Sequence, residues 1–126
     1  MNIRFNNPII FSGDIERSKA FYHGLLGLAV IQDSGSFVLL EGNLGLHSAD
    51  VFYEYLKKPY RGESMGRDNL DLYFTATGLE EVQQRLKEAG VPFIHGIQRC
   101  PWGETVLRVY DPDGHIVEIG DAGQGT

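Results

Sequence analysis

Glu118 sits where strands seldom hold an acid. Residues 105–120 read T-V-L-R-V-Y-D-P-D-G-H-I-V-E-I-G, and Glu118 lies between Val117 and Ile119 in a β-branched run. A carboxylate left uncompensated in a dry site costs on the order of several kcal/mol, so this one needs a partner. The residues alone leave three open: the Arg108 guanidinium across a strand ladder, a bound metal ion, or solvent on an open face. Other reactive side chains are sparse. Cys100, the single cysteine, lies between Arg99 and Pro101 without a nucleophile motif and reads as a loop or strand-end thiol. Of the four histidines, His23 follows Phe21-Tyr22 on a helical stretch and His115 follows a turn, and both are expected in solvent. His95 shares strand parity with Val91 and Phe93, which points it toward an interior face or a strand end.

The element that must position Glu118 is a hairpin. Asp111-Pro112-Asp113-Gly114 places Pro early in a turn and Gly where φ must be positive, so the flanking runs fold back on each other. With Gly114 in the left-handed position, Leu107 and Val109 share a face with Val117 and Ile119. Arg108 and Tyr110 then share the opposite face with Ile116 and Glu118. A slip of one residue would bury Glu118 among Leu107 and Val109, so that register is rejected.

The rest of the chain shows one pattern twice. Residues 8–13 read as a strand, and Asp14 caps a helix whose Ile15, Ser18, Phe21, Tyr22, Leu25 and Leu26 recur at helical spacing up to Gly27. Strands follow at 28–33, 36–41 and 44–48, split by Ser34-Gly35 and Gly42-Asn43. In the second half a strand at 70–75 precedes a helix carrying Leu79, Val82, Leu86 and Ala89 up to Gly90, and strands follow at 91–97, 104–110 and 115–120. Ile15 aligns with Leu79 and Gly27 with Gly90, an offset of about 63 residues that marks an internal duplication. The fold class is therefore α+β: a single domain of two βαβββ-like modules, 1–48 and 68–126, joined by a linker at 49–67. Each helix covers one sheet face, which leaves the other faces to form a cupped mixed sheet around a cavity. The linker carries Phe52, Tyr53, Tyr55 and Tyr60, which suit stacking on a ligand or packing on the protein itself.

Composition excludes some partners. The 126 residues are 42% hydrophobic, enough for a core, and the net charge of −6 argues against nucleic acid. No run approaches the ~20 apolar residues of a membrane span, and no secretory leader is evident, so no membrane partner and a cytoplasmic location are expected.

Three signatures taken with the repeat carry a resemblance. They are Asp14-Ile15-Glu16-Arg17-Ser18 leading to Phe21-Tyr22 and Leu26-Gly27-Leu28, then Pro101-Trp102-Gly103 before a strand, then Asp111-Pro112-Asp113-Gly114-His115-Ile116-Val117-Glu118-Ile119. The chain resembles the glyoxalase, bleomycin-resistance and extradiol-dioxygenase superfamily, the vicinal oxygen chelate proteins. The resemblance implies paired modules, commonly as a homodimer, and a small-molecule ligand or substrate. It also implies a metal set on the first and last strands of the modules. Carried over, that set falls on Asn7, His47 (or Gly45 after a slip of two), Asp71 and Glu118, of which Glu118 matches the usual residue fully. Such an oxygen and nitrogen set suits Mn²⁺, Mg²⁺, Fe²⁺ or Zn²⁺. The implied enzyme is a lactoylglutathione-lyase-like lyase, an isomerase or a dioxygenase acting on a substrate chelated through vicinal oxygens, with Glu118 or Asp71 as a proton-moving base. The alternative is a protein with no cofactor that sequesters an antibiotic or another small aromatic or cationic ligand. The ligand-contacting residues expected in either case are Phe52, Tyr55, Trp102, Arg108 and Tyr110.

Overall fold

The structure is a computed structural model and describes residues 1–62 and 65–123; residues 63–64 of the expected linker and residues 124–126 lie outside the described residues. Two compact units divide the chain, 1–65 and 66–126.

In the first unit, β1 (Ile9–Ser12) leads to α1 (Ile15–Lys19), which widens into a π-helical turn at Ala20–Leu25. Asp14 caps α1, its carboxylate accepting from the Arg17 amide at 3.2 Å. Three strands follow: β2 (Val30–Asp33), β3 (Phe37–Leu40) and β4 (Gly45–Ser48). The sheet order is β1-β4-β3-β2, with β1 and β4 parallel and the other pairs antiparallel. Ile10, Leu46, Val38 and Leu40 alternate onto one face and are buried, as are Phe21 and Tyr22 of the helical segment. Ser12 and Ser18 satisfy each other there through a 2.5 Å hydroxyl pair.

The stretch after β4 differs from the linker that the sequence suggests. Ser48 caps an eight-residue helix, α2 (Ala49–Leu56), which ends with Lys57 in the left-handed region. Three of its apolar positions, Phe52, Tyr53 and Tyr55, are aromatic, which hides the helical period from a reading that looks for Leu and Ile stripes. The helix belongs to the first unit and covers the sheet face opposite α1.

The second unit repeats the order with longer strands: β5 (Asp71–Ala76), α3 (Leu79–Glu88), β6 (Phe93–Arg99), β7 (Thr105–Tyr110) and β8 (Ile116–Asp121). Its sheet order, β5-β8-β7-β6, is that of the first unit, again with one parallel pair between the first and last strands. Leu72, Leu107, Val109, Val117 and Ile119 are buried, together with Leu79 and Leu86 of α3. The duplicated α+β modules expected from the sequence are thus the architecture of the chain.

The turn before β8 forms as its residues dictate. Gly114 takes φ 86°, and one Asp111 carboxylate oxygen accepts from the amides of Asp113 at 2.8 Å and His115 at 2.9 Å. One expectation fails here: His115 is buried, not in solvent. It has the parity of Val117 and Ile119, so the strand's alternation carries it to the core face even though it directly follows a turn.

Candidate functional site

The β7–β8 ladder pairs Leu107 with Ile119, Arg108 with Glu118, Val109 with Val117 and Tyr110 with Ile116. This is the register that the turn predicts, and it places Glu118 on the face away from α3. Glu118 is nonetheless only 7% exposed. Its compensation comes from Arg108, whose Nε donates to a Glu118 carboxylate oxygen at 3.3 Å. Burial opposes the guanidinium charge, but the Glu118 carboxylate, with the Cys100 thiol as a further acceptor, holds Arg108 above its ordinary pKa.

Arg108 also fixes a histidine. Its Nη1 donates to His95 Nε2 at 2.8 Å, and because a guanidinium only donates, that ring nitrogen must be the acceptor. The His95 proton therefore sits on Nδ1, which donates to the Gly96 carbonyl at 2.8 Å. A bulge makes this contact: Phe93 pairs with Val109, yet His95 pairs with Arg108, so the parity that the sequence implied for Phe93 and His95 is broken between them.

The neighbouring strand completes the face. In the parallel β5–β8 pair Asp71 lies beside Ile116 and Tyr73 beside Glu118. Asp71 is exposed along its outer edge, but desolvation and the adjacent Glu118, with which its carboxyl hydrogen-bonds, push its pKa up to about 6 against the pull of Arg108. Below that pH Asp71 keeps its proton and shares it with Glu118. Farther along, Glu104 takes hydrogen bonds from the Tyr73 hydroxyl and, at 3.1 Å, from the indole nitrogen of Trp102. The first of these, then burial, pushes the Tyr73 phenol up to about 12. Tyr110 donates to Asp68 at 2.8 Å.

The remaining sequence candidates lie in the first unit. His47 pairs with Phe11 of β1 and Phe37 of β3 and is 8% exposed. Phe52 meets its ring edge-on at 4.9 Å, and Tyr55 and Phe37 stand at 5.9 Å. Its Nδ1 donates to the Ser48 carbonyl at 3.0 Å, which leaves Nε2 as the acceptor of the neutral ring. Phe52 also packs on Phe11 at 4.8 Å, whereas Tyr55 is 66% exposed. Asn7 precedes β1, its amide lying against Gly45. Tyr73 pairs with Glu118 and Phe11 pairs with His47, so the place matching Asp71 is Ile9, two residues past Asn7.

A divalent metal fits these donors poorly. The best carboxylate, Glu118, already faces the Arg108 cation, and among the described residues of either unit no three His, Cys, Asp or Glu side chains are grouped to hold an ion. What the second unit offers instead is a polar surface of fixed donors and acceptors bordered by exposed aromatic rings. Tyr73, Glu104 and His95 belong to it although the sequence reading did not choose them. The first two were within reach of strand parity, because Tyr73 lies two residues from Asp71 and Glu104 four from Arg108.

Among the described residues no helix is long and apolar enough to cross a membrane. The chain is 27% identical over 123 residues to a bleomycin resistance protein of Klebsiella pneumoniae, covering 89% of this chain and 87% of that one. Among solved structures, a protein of unknown function from Agrobacterium tumefaciens is 39% identical, with a TM-score of 0.87 over 97% of this chain and 96% of the other. A glyoxalase-related enzyme from Fulvimarina pelagi is 22% identical, with a TM-score of 0.77 over 94% and 88%, and at that identity the likeness is one of fold. The glyoxalase-like domain model matches residues 5–123, nearly the whole chain, which therefore belongs to the glyoxalase-like family.

Proposed function

We propose that this chain is a binding protein that sequesters a small organic molecule, in the manner its bleomycin-resistance relative's name describes, and that it does so without a metal. The single observation that carries this reading is the Glu118–Arg108–His95 chain, which commits the family's metal-binding carboxylate to an internal cation. A site meant for Lewis-acid chemistry would be expected to leave that carboxylate free for the ion. The face around it instead suits recognition: Glu104 accepts through its remaining lone pairs, and the exposed rings of Trp102 and Tyr73 offer apolar area. We further propose a homodimer, since the equivalent edge strands β2 and β6 expose Ile31 and Ile94, and a cytoplasmic setting, which suits the free thiol of Cys100. Light scattering is expected to give twice the 14.1 kDa chain mass.

Thermal shift and calorimetry with metal-free bleomycin in chelator, beside titrations of Mn²⁺ and Zn²⁺ alone, test the reading. Saturable bleomycin binding that chelator leaves unchanged is the expected result. Stoichiometric uptake of either ion that Glu118→Gln abolishes, with no bleomycin binding in chelator, would replace it with the metal-dependent lyase or oxygenase reading on Asn7, His47, Asp71 and Glu118.

A further inference from the structure

Trp102 is 68% exposed and Tyr73 51%, which is unusual for two large rings held in place at their polar ends. Both end on the same carboxylate: Tyr73 Oη donates to one oxygen of Glu104 and Trp102 Nε1 to the other. Two separate stretches of backbone build the arrangement. Tyr73 comes from the middle of β5, Trp102 from the turn Cys100–Gly103 that a 2.8 Å amide-to-carbonyl bond closes, and Glu104 from the residue before β7.

Gly120 on β8 is the floor. A Cβ there would lie 2.7 Å from Tyr73 Oη and 2.9 Å from a Glu104 carboxylate oxygen, so any larger residue would evict the pair. The sequence thus gives up a side chain on a central strand to seat a tyrosine and a glutamate against the sheet. Each Glu104 oxygen keeps a second lone pair after its one hydrogen bond. The Tyr73 and Trp102 hydrogen bonds hold the Glu104 carboxylate below its ordinary pKa, so its charge persists.

We infer that Glu104, Tyr73 and Trp102 form a recognition subsite for an organic ammonium group. The carboxylate supplies the countercharge, and the exposed rings of Tyr73 and Trp102 supply apolar area beside it for the body of the ligand. The proposal deepens the small-molecule reading above and rests on it, but its probes differ from bleomycin, so either can fail alone. It narrows the ligand class to molecules carrying a protonated amine beside an apolar or aromatic body. The chain's net charge of −6 favours the approach of such a cation.

Trp102 is the only tryptophan, so intrinsic fluorescence reports on this place alone. Titrating the full chain with benzylammonium and with its uncharged counterpart, benzyl alcohol, is expected to give saturable changes in Trp102 emission, with benzylammonium at least about ten-fold tighter. High salt is expected to weaken only the charged probe. Glu104→Gln should lose about ten-fold for benzylammonium and leave benzyl alcohol unchanged, and Tyr73→Phe should lose less because the ring stays. Equal affinities for the two probes in the wild type would overturn the proposal without any variant. So would unchanged benzylammonium affinity in a Glu104→Gln protein whose circular dichroism is that of the wild type.

Discussion

His47 and Glu118 occupy the same place in the two units, the middle of the last strand, flanked by the first strand on one side and the hairpin partner on the other. Their neighbours have diverged. His47 lies between Phe11 and Phe37 under the aromatic cover of α2, while Glu118 lies between Tyr73 and Arg108. One residue earlier along each last strand, on the faces that carry α1 and α3, both units remain aliphatic: Ile10, Leu46 and Val38 in the first and Leu72, Val117 and Val109 in the second. The strand alternation has let one face preserve the fold while the other changed its chemistry.

The largest effect should come from removing the cation of the polar unit. Arg108→Ala leaves Glu118 nearly buried without its countercharge and the His95 acceptor unpaired, so unfolding in urea at neutral pH should show a loss of about 3 kcal/mol. Pairing it with Glu118→Leu should recover most of that loss, because a nonpolar pair needs no compensation. A loss below about 1 kcal/mol in the single variant would mean that solvent, not Arg108, compensates the carboxylate.

The equivalent change in the aromatic unit sharpens the contrast. Phe37→Ala removes a half-buried ring beside His47 and should cost about 2 kcal/mol through lost packing. Its penalty should be indifferent to salt, whereas the Arg108→Ala penalty should shrink as salt screens the partly exposed pair. If both penalties respond to salt alike, the two faces do not differ in the way their residues suggest.

Much of this was legible in the residues. Asp111-Pro112-Asp113-Gly114 set the β7–β8 register, and that register placed Arg108 opposite Glu118, which is the pairing observed. What escaped the reading did so for local reasons. The bulge at 93–95 changes the face of His95 relative to Phe93, and nothing in Pro92-Phe93-Ile94-His95 announces it. The helix α2 was hidden because Phe52, Tyr53 and Tyr55 are poor helix formers whose packing, not propensity, makes them helical. The role of Gly120 could not be seen either, since a strand glycine signals a close approach without saying what approaches.

The smallest effect tests the proton at the edge of the polar face. Asp71 has a pKa of about 6 against 3.8 for its ordinary value, so between those pH values the folded chain binds more protons than the unfolded one. The Asp71 contribution to stability is therefore fully present below about pH 4 and is lost as pH rises through about 6, where its charge develops beside Glu118. Asp71→Asn keeps a donor toward Glu118 at every pH and never acquires that charge. Relative to wild type, the variant should gain roughly 0.5 kcal/mol at pH 7, a modest figure because the group is partly exposed and screened, and the gain should vanish near pH 4. No such site exists beside His47, where Ile9 stands in the matching place, so Ile9→Val should shift stability by an amount independent of pH. An Asp71→Asn difference that stays flat from pH 4 to 7 would show that the two carboxyls do not interact, and the polar face would then reduce to the Arg108–Glu118 pair alone.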